Sequence, residues 1–429
     1  MALSTYSGWT APAASAPLDA RLVIPGSKSL TNRELVLSAL ADGPSRLTAP
    51  LRARDTELMA DALRALGTTV SADLGEIVPG ALRGGAHLDA GLAGTVMRFI
   101  PPVAALAEGA VTIDGDEHAR KRPMATTIDA LRALGVRVDD EGRGALPFTI
   151  HGDGGVEGGE LTIDASASSQ FVSGLLLAAP RFRDGLVLGH AGERLPSMPH
   201  IEMTIAALAA RGVEVSSPEP ATWVVAPGPI AARDLVIEPD LSNAGPFLAA
   251  ALLAGGRVTI AHWPAETTQV GRLFAELLPR FGATVTLGAD GLTVDGGPGI
   301  LGGRTFPGVD LDLSEGGELA PTFAALAALA TTPSRITGIA HLRGHETDRL
   351  AALAADLNGL GADVTEQPDG LAFTPAPLHG GPWRAYADHR MATTGALVGL
   401  VVPGVVVDDI ATTSKTLPEF PELWAELTA

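Results

Sequence analysis

The chain has 429 residues, of which 46% are apolar, so it can bury more than one core, and this composition excludes an intrinsically disordered protein. Its formal net charge of −19 at pH 7 argues against nucleic acid or an anionic membrane surface as a partner. Because the sequence contains no cysteine, disulfides, thiolate metal sites and a cysteine nucleophile are excluded.

The N-terminal residues show no basic segment followed by an apolar one, so we expect no secretory signal. The longest apolar stretch, residues 394–407, is short for a bilayer span and contains Pro403. We therefore expect a cytoplasmic protein that acts as a monomer and has neither a membrane nor a nucleic-acid partner.

Two helical patterns alternate along the chain and predict six copies of one helix–strand–helix–strand unit. The first is a helix rich in Ala and Leu, then a Gly or Pro break and an extended apolar run, at residues 29–47, 94–113, 168–188, 241–260, 317–338 and 388–407. The second is an amphipathic helix that ends at Gly before a β-branched run, at residues 57–70, 127–138, 201–215, 270–285 and 349–364, with a shortened copy at 421–427.

The predicted strands are short, and Gly-rich turns separate them, as at residues 151–159, which we interpret as a hairpin. This pattern favours an α+β fold, in which mixed sheets wrap buried helices, over a doubly wound parallel sheet. Because the repeat is longer than that of most open arrays, closed domains of three units each are expected, with a division near residue 232.

Polar residues cluster at the predicted N-terminal ends of these helices. The first helices carry Lys28, Ser29, Asn32, Arg33, Gly94, Thr95, Arg98, Ser168, Ser169, Gln170, Asp240, Ser242, Asn243, Glu318, Asp388, His389 and Arg390 there, and the second helices carry Arg54, Asp55, Lys121, Arg122, Ser197, His200, Glu346, Arg349 and Lys415. A helix N-terminus attracts anions, and Arg or Lys there exceeds what capping requires. Any one of these residues could be an ordinary cap or a solvated charge. Their recurrence at one position of the repeat indicates a site for phosphates and carboxylates.

Phosphate-loop and metal-site patterns do not fit the sequence. PGSKS (25–29) lacks the Gly that a phosphate loop places five residues before its Gly-Lys pair. His341 and His345 are four residues apart, but Arg349 stands where the H-E-x-x-H pattern needs its second His. We therefore expect catalysis without a metal ion or cofactor.

Seven segments in order resemble motifs of the 5-enolpyruvylshikimate-3-phosphate synthase family, which are enolpyruvyl transferases. They are PGSKSLTNR (25–33), GLAGTVMR (91–98), the Arg-Pro pair at 122–123, ASASSQF (165–171), ETDRL (346–350), DHRMA (388–392) and TSKTLPEF (413–420). The resemblance implies the enolpyruvyl-transferase fold, with one three-repeat domain at residues 22–231 and a second formed by residues 1–21 and 232–429. It also implies an active site in the cleft between these domains.

The resemblance further implies a reaction of the shikimate pathway, in which the enolpyruvyl group of phosphoenolpyruvate moves to the 5-hydroxyl of shikimate 3-phosphate. Glu318 matches the family's base, and Lys28, Glu346, His389 and Lys415 are the further candidates for proton transfer and charge stabilisation. Shikimate 3-phosphate is expected to contact Lys28, Ser29, Arg33, Ser168, Ser169, Gln170, Ser197, Glu318 and His345. Phosphoenolpyruvate is expected to contact Lys28, Gly94, Arg122, Gln170, Arg349, Arg390 and Lys415.

Three positions depart from the family pattern: Leu92 replaces the usual Asn, Glu318 the commoner Asp, and His345 the usual Lys. Two other functions remain open on the same fold. One is enolpyruvyl transfer to UDP-N-acetylglucosamine, although that enzyme usually relies on a cysteine. The other is anion binding without catalysis, although binding alone would not need the acidic pair Glu318 and Glu346.

Overall fold

The computed structural model describes residues 8–429, which form two compact units. We call Gly26–Glu238 the inserted unit, and we call the described residues up to Pro25 together with Pro239–Ala429 the split unit. Residues 1–7, which belong to the expected second domain, lie outside the described residues.

Two strand pairings set the ends of these units. Leu18–Leu22 pairs in parallel with Gly256–Ile260 of the split unit, and Leu235–Val236 pairs in parallel with Ser45–Thr48 of the inserted unit. The units therefore meet along the chain at residues 25/26 and 238/239, a few residues beyond the expected 21/22 and 231/232.

In the inserted unit, each repeat has a strand, a buried helix, a parallel strand, an outer helix and two more strands. Its helices are α1 (Lys28–Ala39), α2 (Arg54–Ala65), α3 (Gly94–Ala104), α4 (Ala125–Ala133), α5 (Gln170–Ala178) and α6 (Met198–Ala209). Its sheets, in spatial order, are Leu235–Val236, Ser45–Thr48, Glu76–Val78, Thr69–Val70; Ala86–Asp89, Glu108–Asp114, Phe148–Asp153, Arg137–Asp139; and Gly159–Ile163, Leu186–His190, Thr222–Val225, Val215–Ser216.

The split unit follows a similar plan, but within residues 8–429 its third sheet has three strands. Its helices are α7 (Gly245–Ala254), α8 (Phe274–Leu277), α9 (Ala320–Ala328), α10 (Arg349–Gly359), α11 (His389–Gly399) and α12 (Phe420–Thr428). Its sheets within residues 8–429, in spatial order, are Thr284–Gly288, Gly291–Gly297, Gly256–Ile260, Leu18–Leu22; Asp310–Asp312, Ser334–Thr337, Gly370–Thr374, Asp363–Gln367; and Trp9–Thr10, Val406–Val407, Pro382–Trp383.

The hairpin predicted at residues 151–159 is wrong. Phe148–Asp153 pairs with Glu108–Asp114, whereas Gly159–Ile163 begins the next sheet and pairs with Leu186–His190. Gly154, with a φ of +89°, lets the chain turn sharply as it leaves the first of these sheets. The sequence correctly indicated a Gly-rich turn between two strands, but these strands belong to different sheets.

The outer helix predicted at residues 270–285 is interrupted. Val270–Leu273 and Leu278–Phe281 are 3₁₀ turns, and α8 between them has a single helical turn. Pro279 explains the second break, because proline lacks the N–H group that a continuous α-helix needs.

The buried helices confirm the predicted α+β fold of mixed sheets wrapped around helices. Every residue of α3 and of α7 is buried. α3 packs against α5 in the inserted unit, and α11 packs against α7 and α9 in the split unit. Because a helix enclosed on all sides must be apolar over most of its length, α3 carries its polar residues, Thr95 and Arg98, near its start. Within residues 8–429, none of the helices combines the length and the apolar character that a membrane span requires.

Candidate active site

Three predicted residues of the inserted unit converge at the start of α3. A Cβ atom added at Gly94 would lie 3.0 Å from Gln170 Oε1 and 3.3 Å from Arg122 Nη2. Arg122 Nη1 donates to the Leu92 carbonyl over 3.4 Å. Arg122 Nε and Gln170 Oε1 are buried without a hydrogen-bond partner among residues 8–429. Buried polar atoms are normally hydrogen-bonded, so these two indicate a place for a polar ligand.

The absent side chain at Gly94 also lets Gln170 and Arg122 come close to the first turn of α3. The first N–H groups of a helix have no partner inside the helix and carry a partial positive charge. An anion at this point would be bound by backbone N–H groups and by the Arg122 guanidinium.

Lys28, at the start of α1, is held by a buried carboxylate. Its Nζ lies 3.5 Å from Asp55 Oδ2, and the Lys28 side chain is 18% exposed whereas that of Asp55 is 1% exposed. The Ser27 side chain accepts a hydrogen bond from Leu30 N and so caps α1. Asp55 therefore orients Lys28 while the ammonium group keeps access to a ligand.

Arg33 is more buried than the sequence indicated. Its Nε donates to Thr204 Oγ1 (2.8 Å), its Nη1 to the Ser29 carbonyl (3.0 Å), and its Nη2 to the His200 carbonyl (2.8 Å). The residue is 1% exposed, and its guanidinium lies over the Phe99 ring. Its expected contact with a ligand carboxylate stays a prediction.

The three predicted phosphate-binding serines lie at the starts of α5 and α6, two helices that pack against each other. Ser168 Oγ accepts a hydrogen bond from Gln170 N over 3.2 Å, and Ser169 is buried. Ser197 has a left-handed backbone with a φ of +54°, and its side chain makes no capping hydrogen bond to α6. Such strain at a residue with a Cβ is common at functional sites.

In the split unit, four residues form a continuous series of buried ion pairs. Lys415 Nζ binds Glu346 Oε1, and Arg349 Nη2 donates to Glu346 Oε2 over 2.9 Å. Arg349 also binds Asp388 through two hydrogen bonds, from Nε (2.7 Å) and Nη2 (3.1 Å). Burial by itself lowers the pKa of Arg349, but the charges of Asp388 and Glu346 outweigh it and raise that pKa above its ordinary value.

Glu318 lies beside these ion pairs, in the 3₁₀ turn Gly317–Leu319 that precedes α9. Its Oε1 accepts a hydrogen bond from Ser242 Oγ and lies 3.5 Å from Arg390 Nη2. Asp388 caps α11 by accepting from Arg390 N over 2.9 Å, which fixes the backbone from which Arg390 extends.

The predicted histidines lie in the same unit. His345 Nδ1 is 3.4 Å from Arg349 Nη1 and 3.9 Å from Glu346 Oε2. His389 is buried, with its Nδ1 3.7 Å from Asp388 Oδ1. The sequence analysis did not assign a role to His341, whose Nε2 would lie 2.5 Å from a Cβ at Gly317, next to Glu318. Its spacing of four residues from His345 was the signal that could have placed it there.

The two clusters differ in charge. The split-unit cluster combines three cations (Lys415, Arg349 and Arg390) with three carboxylates (Glu346, Asp388 and Glu318), so its formal charges cancel. In the inserted unit, Lys28 contacts Asp55 and Arg122 lies at the start of α3, so these three residues carry a net positive charge. Among the described residues, no three His, Asp or Glu side chains group as metal ligands. A reaction without metal stays a prediction.

A family model described as EPSP synthase (3-phosphoshikimate 1-carboxyvinyltransferase) matches residues 12–424. The chain belongs to the EPSP synthase family. The resemblance of the seven motifs is thereby confirmed, and as a member of the EPSP synthase family the chain is a transferase of the shikimate pathway.

A curated relative, the 3-phosphoshikimate 1-carboxyvinyltransferase of Kocuria rhizophila, is 57% identical over 433 residues, covering 98% of this chain and 96% of that protein. A solved structure of EPSP synthase from Acinetobacter baumannii has a TM-score of 0.79 at 24% identity, covering 98% of this chain and 97% of that one. The enolpyruvyl transferase NikO from Streptomyces tendae has a TM-score of 0.75 at 20% identity, covering 97% and 96%. At these identities the two structures establish the fold alone.

Proposed function

We propose that the chain transfers the carboxyvinyl (enolpyruvyl) group of phosphoenolpyruvate to the 5-hydroxyl of shikimate 3-phosphate, with release of phosphate. The observation that carries the assignment of residues is the environment of Glu318. Its side chain is 19% exposed, compared with 8% for Glu346 and 0% for Asp388, and it lies beside the cation Arg390. Of the three carboxylates in the split-unit cluster, Glu318 is the one that a substrate hydroxyl can best reach.

Residues of the inserted unit are suited to bind the anionic groups of both substrates. Arg122 and the first turn of α3 offer N–H donors to phosphoenolpyruvate, and Gln170 Oε1 can accept a hydrogen bond from a substrate hydroxyl. Ser168, Ser169 and Ser197 are proposed as donors to the phosphate of shikimate 3-phosphate. Lys28 adds a positive charge that Asp55 holds in place.

The reaction proceeds by addition and elimination. Glu318 takes the proton of the 5-hydroxyl while the oxygen of that hydroxyl bonds to C2 of phosphoenolpyruvate, and an acid delivers a proton to C3. The tetrahedral adduct then loses phosphate from C2 and a proton from C3, which forms the product double bond. Lys415, bound to Glu346, and Lys28 are the proposed partners for the second proton and the developing charge, with His389 as a further candidate. Arg349 and Arg390 are proposed to hold phosphoenolpyruvate.

One assay separates this function from its two alternatives. Phosphate release from phosphoenolpyruvate is measured with shikimate 3-phosphate, with UDP-N-acetylglucosamine, and with neither. Release only with shikimate 3-phosphate is expected. Release with the sugar nucleotide would assign the chain to the other transferase, and tight binding of both substrates without phosphate release would make it an anion-binding protein.

The protein is further proposed to act as a cytoplasmic monomer with neither a nucleic-acid nor a membrane partner. Sedimentation of the purified chain across a range of concentrations tests the oligomeric state. A mass that rises with concentration would contradict a monomer.

A further inference from the structure

The two residues directly before the Asp388–Arg390 segment have an unusual backbone. Tyr386 and Ala387 both have a φ of +54°. A left-handed backbone is unfavourable for residues with a Cβ, and it persists only where the surroundings over-determine it. Since Asp388 and Arg390 belong to the candidate active site, the contacts that hold this turn bear on the site.

Helix α10 contacts the turn on both sides. Asp356, buried at 7% exposure, accepts a hydrogen bond from the Tyr386 hydroxyl through Oδ1 (3.3 Å) and from Arg384 N through Oδ2 (3.3 Å). Arg349, seven residues earlier on α10, binds Asp388. Side chains seven residues apart leave a helix on the same face, so one face of α10 binds the chain before and after the strained pair.

Three further hydrogen bonds fix the backbone around the turn. Asp408 Oδ1 accepts from Ala385 N (2.7 Å), and the Ala385 carbonyl accepts from Asp388 N (2.8 Å). The Trp383 indole donates to the Met391 carbonyl in α11 (2.7 Å). The start of α11 is therefore joined to the segment that precedes it, and any relaxation of the turn would move Arg390.

We propose that the Tyr386–Asp356 hydrogen bond is a positioning device for Asp388 and Arg390. It holds the left-handed turn, and the turn sets the position of Arg390 beside Glu318 and of Asp388 beside Arg349. Tyr386 and Asp356 are positioning residues that act through Arg390. This inference rests on the proposed function, from which Arg390 takes its role.

Tyr386→Phe tests the contact, because it removes the hydroxyl and keeps the ring. We expect kcat/KM for phosphoenolpyruvate to fall about tenfold, a typical effect of one hydrogen bond to a charged group, while the Kd of shikimate 3-phosphate changes less than about twofold. Asp356→Ala, which removes the acceptor oxygens, should act similarly. The double variant should lose little more than Asp356→Ala alone, because Tyr386→Phe then removes a hydroxyl whose acceptor is already absent.

A rescue variant distinguishes positioning from a general loss of stability. Ala387 is exposed, and Ala387→Gly in the Tyr386→Phe background removes the backbone strain without opening a cavity. We expect it to restore kcat/KM to within about twofold of the wild-type value. Ala221 in the inserted unit has a φ of +56°, so Ala221→Gly in the same background relieves comparable strain and is expected to restore nothing.

Each other outcome counts against the proposal. Unchanged kinetics of Tyr386→Phe, fully additive losses in the double variant, or equal rescue by Ala221→Gly would overturn it. An activity loss that follows a lower Tm and is not rescued by glycine would also overturn it. If the wild-type chain released no phosphate in response to shikimate 3-phosphate, the proposed function would fail as well. If the wild-type chain were active and the variants had the same kinetics, this inference alone would fail.

Discussion

Glu318 and Glu346 lie in one cluster, but their contacts give them different roles. Glu346 binds two cations, Lys415 and Arg349, and is almost fully buried. Glu318 accepts from the neutral hydroxyl of Ser242, has Arg390 at 3.5 Å, and keeps part of its surface exposed. A general base must come within hydrogen-bond distance of the proton that it removes, and Glu318 meets this requirement better.

The variant Glu318→Gln tests this role. The amide keeps the size of the side chain and an oxygen that can accept from Ser242, but it cannot take up the substrate proton. We expect kcat to fall by about 10²–10⁴-fold, the usual contribution of general-base catalysis, with little change in the Kd of shikimate 3-phosphate. Steady-state kinetics and titration calorimetry give the two quantities.

Glu315, three residues earlier and exposed, supplies the matched control. Glu315→Gln removes the same charge from the same segment and should leave kcat and KM unchanged. If Glu318→Gln kept near-normal turnover, or if both variants lost activity equally, Glu318 would not be the base.

At the scale of elements, the candidate site residues lie at the starts of buried helices, because the remainder of each helix packs in the core. α3 is buried from Gly94 to Ala104, and polar side chains from other segments lie against its first residue. A side chain at Gly94 would meet Gln170 and Arg122 there. The identity of this residue therefore controls the space in front of the helix.

Gly94→Ala should separate the stability of the protein from its activity. Alanine suits a helix better than glycine does, so the free energy of unfolding should stay equal or rise slightly. The new methyl group would lie 3.0 Å from Gln170 Oε1 and 3.3 Å from Arg122 Nη2, so the KM for phosphoenolpyruvate should rise about tenfold. The KM for shikimate 3-phosphate should change less.

The control for this prediction is Gly359→Ala at the end of α10, where an added Cβ meets no atom within 4 Å. It should leave both KM values unchanged. Equal increases in the two KM values of Gly94→Ala would contradict the assignment of this space to phosphoenolpyruvate.

The repeats, the buried helices and the polar helix starts could be predicted from the sequence, because each leaves a local signal. A helix that is apolar after its opening residues is visible in the residues from 94 to 104 alone, where Arg98 is the last polar side chain. The left-handed turn at Tyr386 and Ala387 left no such signal, since neither residue is a glycine. The burial of Arg33 also depends on residues distant in sequence, Thr204 and His200, and could not be read from the motif around it.

At the scale of the whole molecule, the pH dependence of stability should carry a contribution from Asp356. Burial, above all, raises its pKa to about 6, while hydrogen bonds from Arg384 N and Tyr386 and the Arg384 charge lower it, and the Asp408 charge adds to the increase. The unfolded chain has the ordinary value of 3.8, so between about pH 4 and 6 the folded state binds more protons. This residue therefore favours folding at low pH, and that contribution is lost as the pH rises through 6.

Asp356→Asn removes this titration. The Tm of the variant minus that of the wild type should therefore increase from pH 4.5 to pH 7.5, by an amount that corresponds to at most roughly 3 kcal/mol. Thermal unfolding followed by circular dichroism measures it. Asp363→Asn, at an exposed position of the same unit, is the matched control for loss of a carboxylate. A difference for Asp356→Asn that is constant or falls with pH would contradict the expected sign.

The path of the chain makes each unit depend on a strand that is distant in sequence. Leu18–Leu22 completes a sheet with Gly256–Ile260, and Leu235–Val236 completes a sheet with Ser45–Thr48. Parallel pairing over such separations has no turn between the partners, so no local pattern could indicate it. We therefore expect the strand Leu18–Leu22 to contribute as much to the stability of the protein as the other core elements of the split unit do.

Two neighbouring residues allow a direct test. Leu22 is 1% exposed within the core of the split unit, and Val23 is 54% exposed. Leu22→Ala should lower the free energy of unfolding by about 2–5 kcal/mol, because it removes buried methyl groups and leaves a cavity. Val23→Ala, which shortens an exposed side chain one residue later, should change it by less than about 0.5 kcal/mol. Denaturant unfolding measures both values, and a small effect of Leu22→Ala would mean that the strand Leu18–Leu22 contributes little to the core.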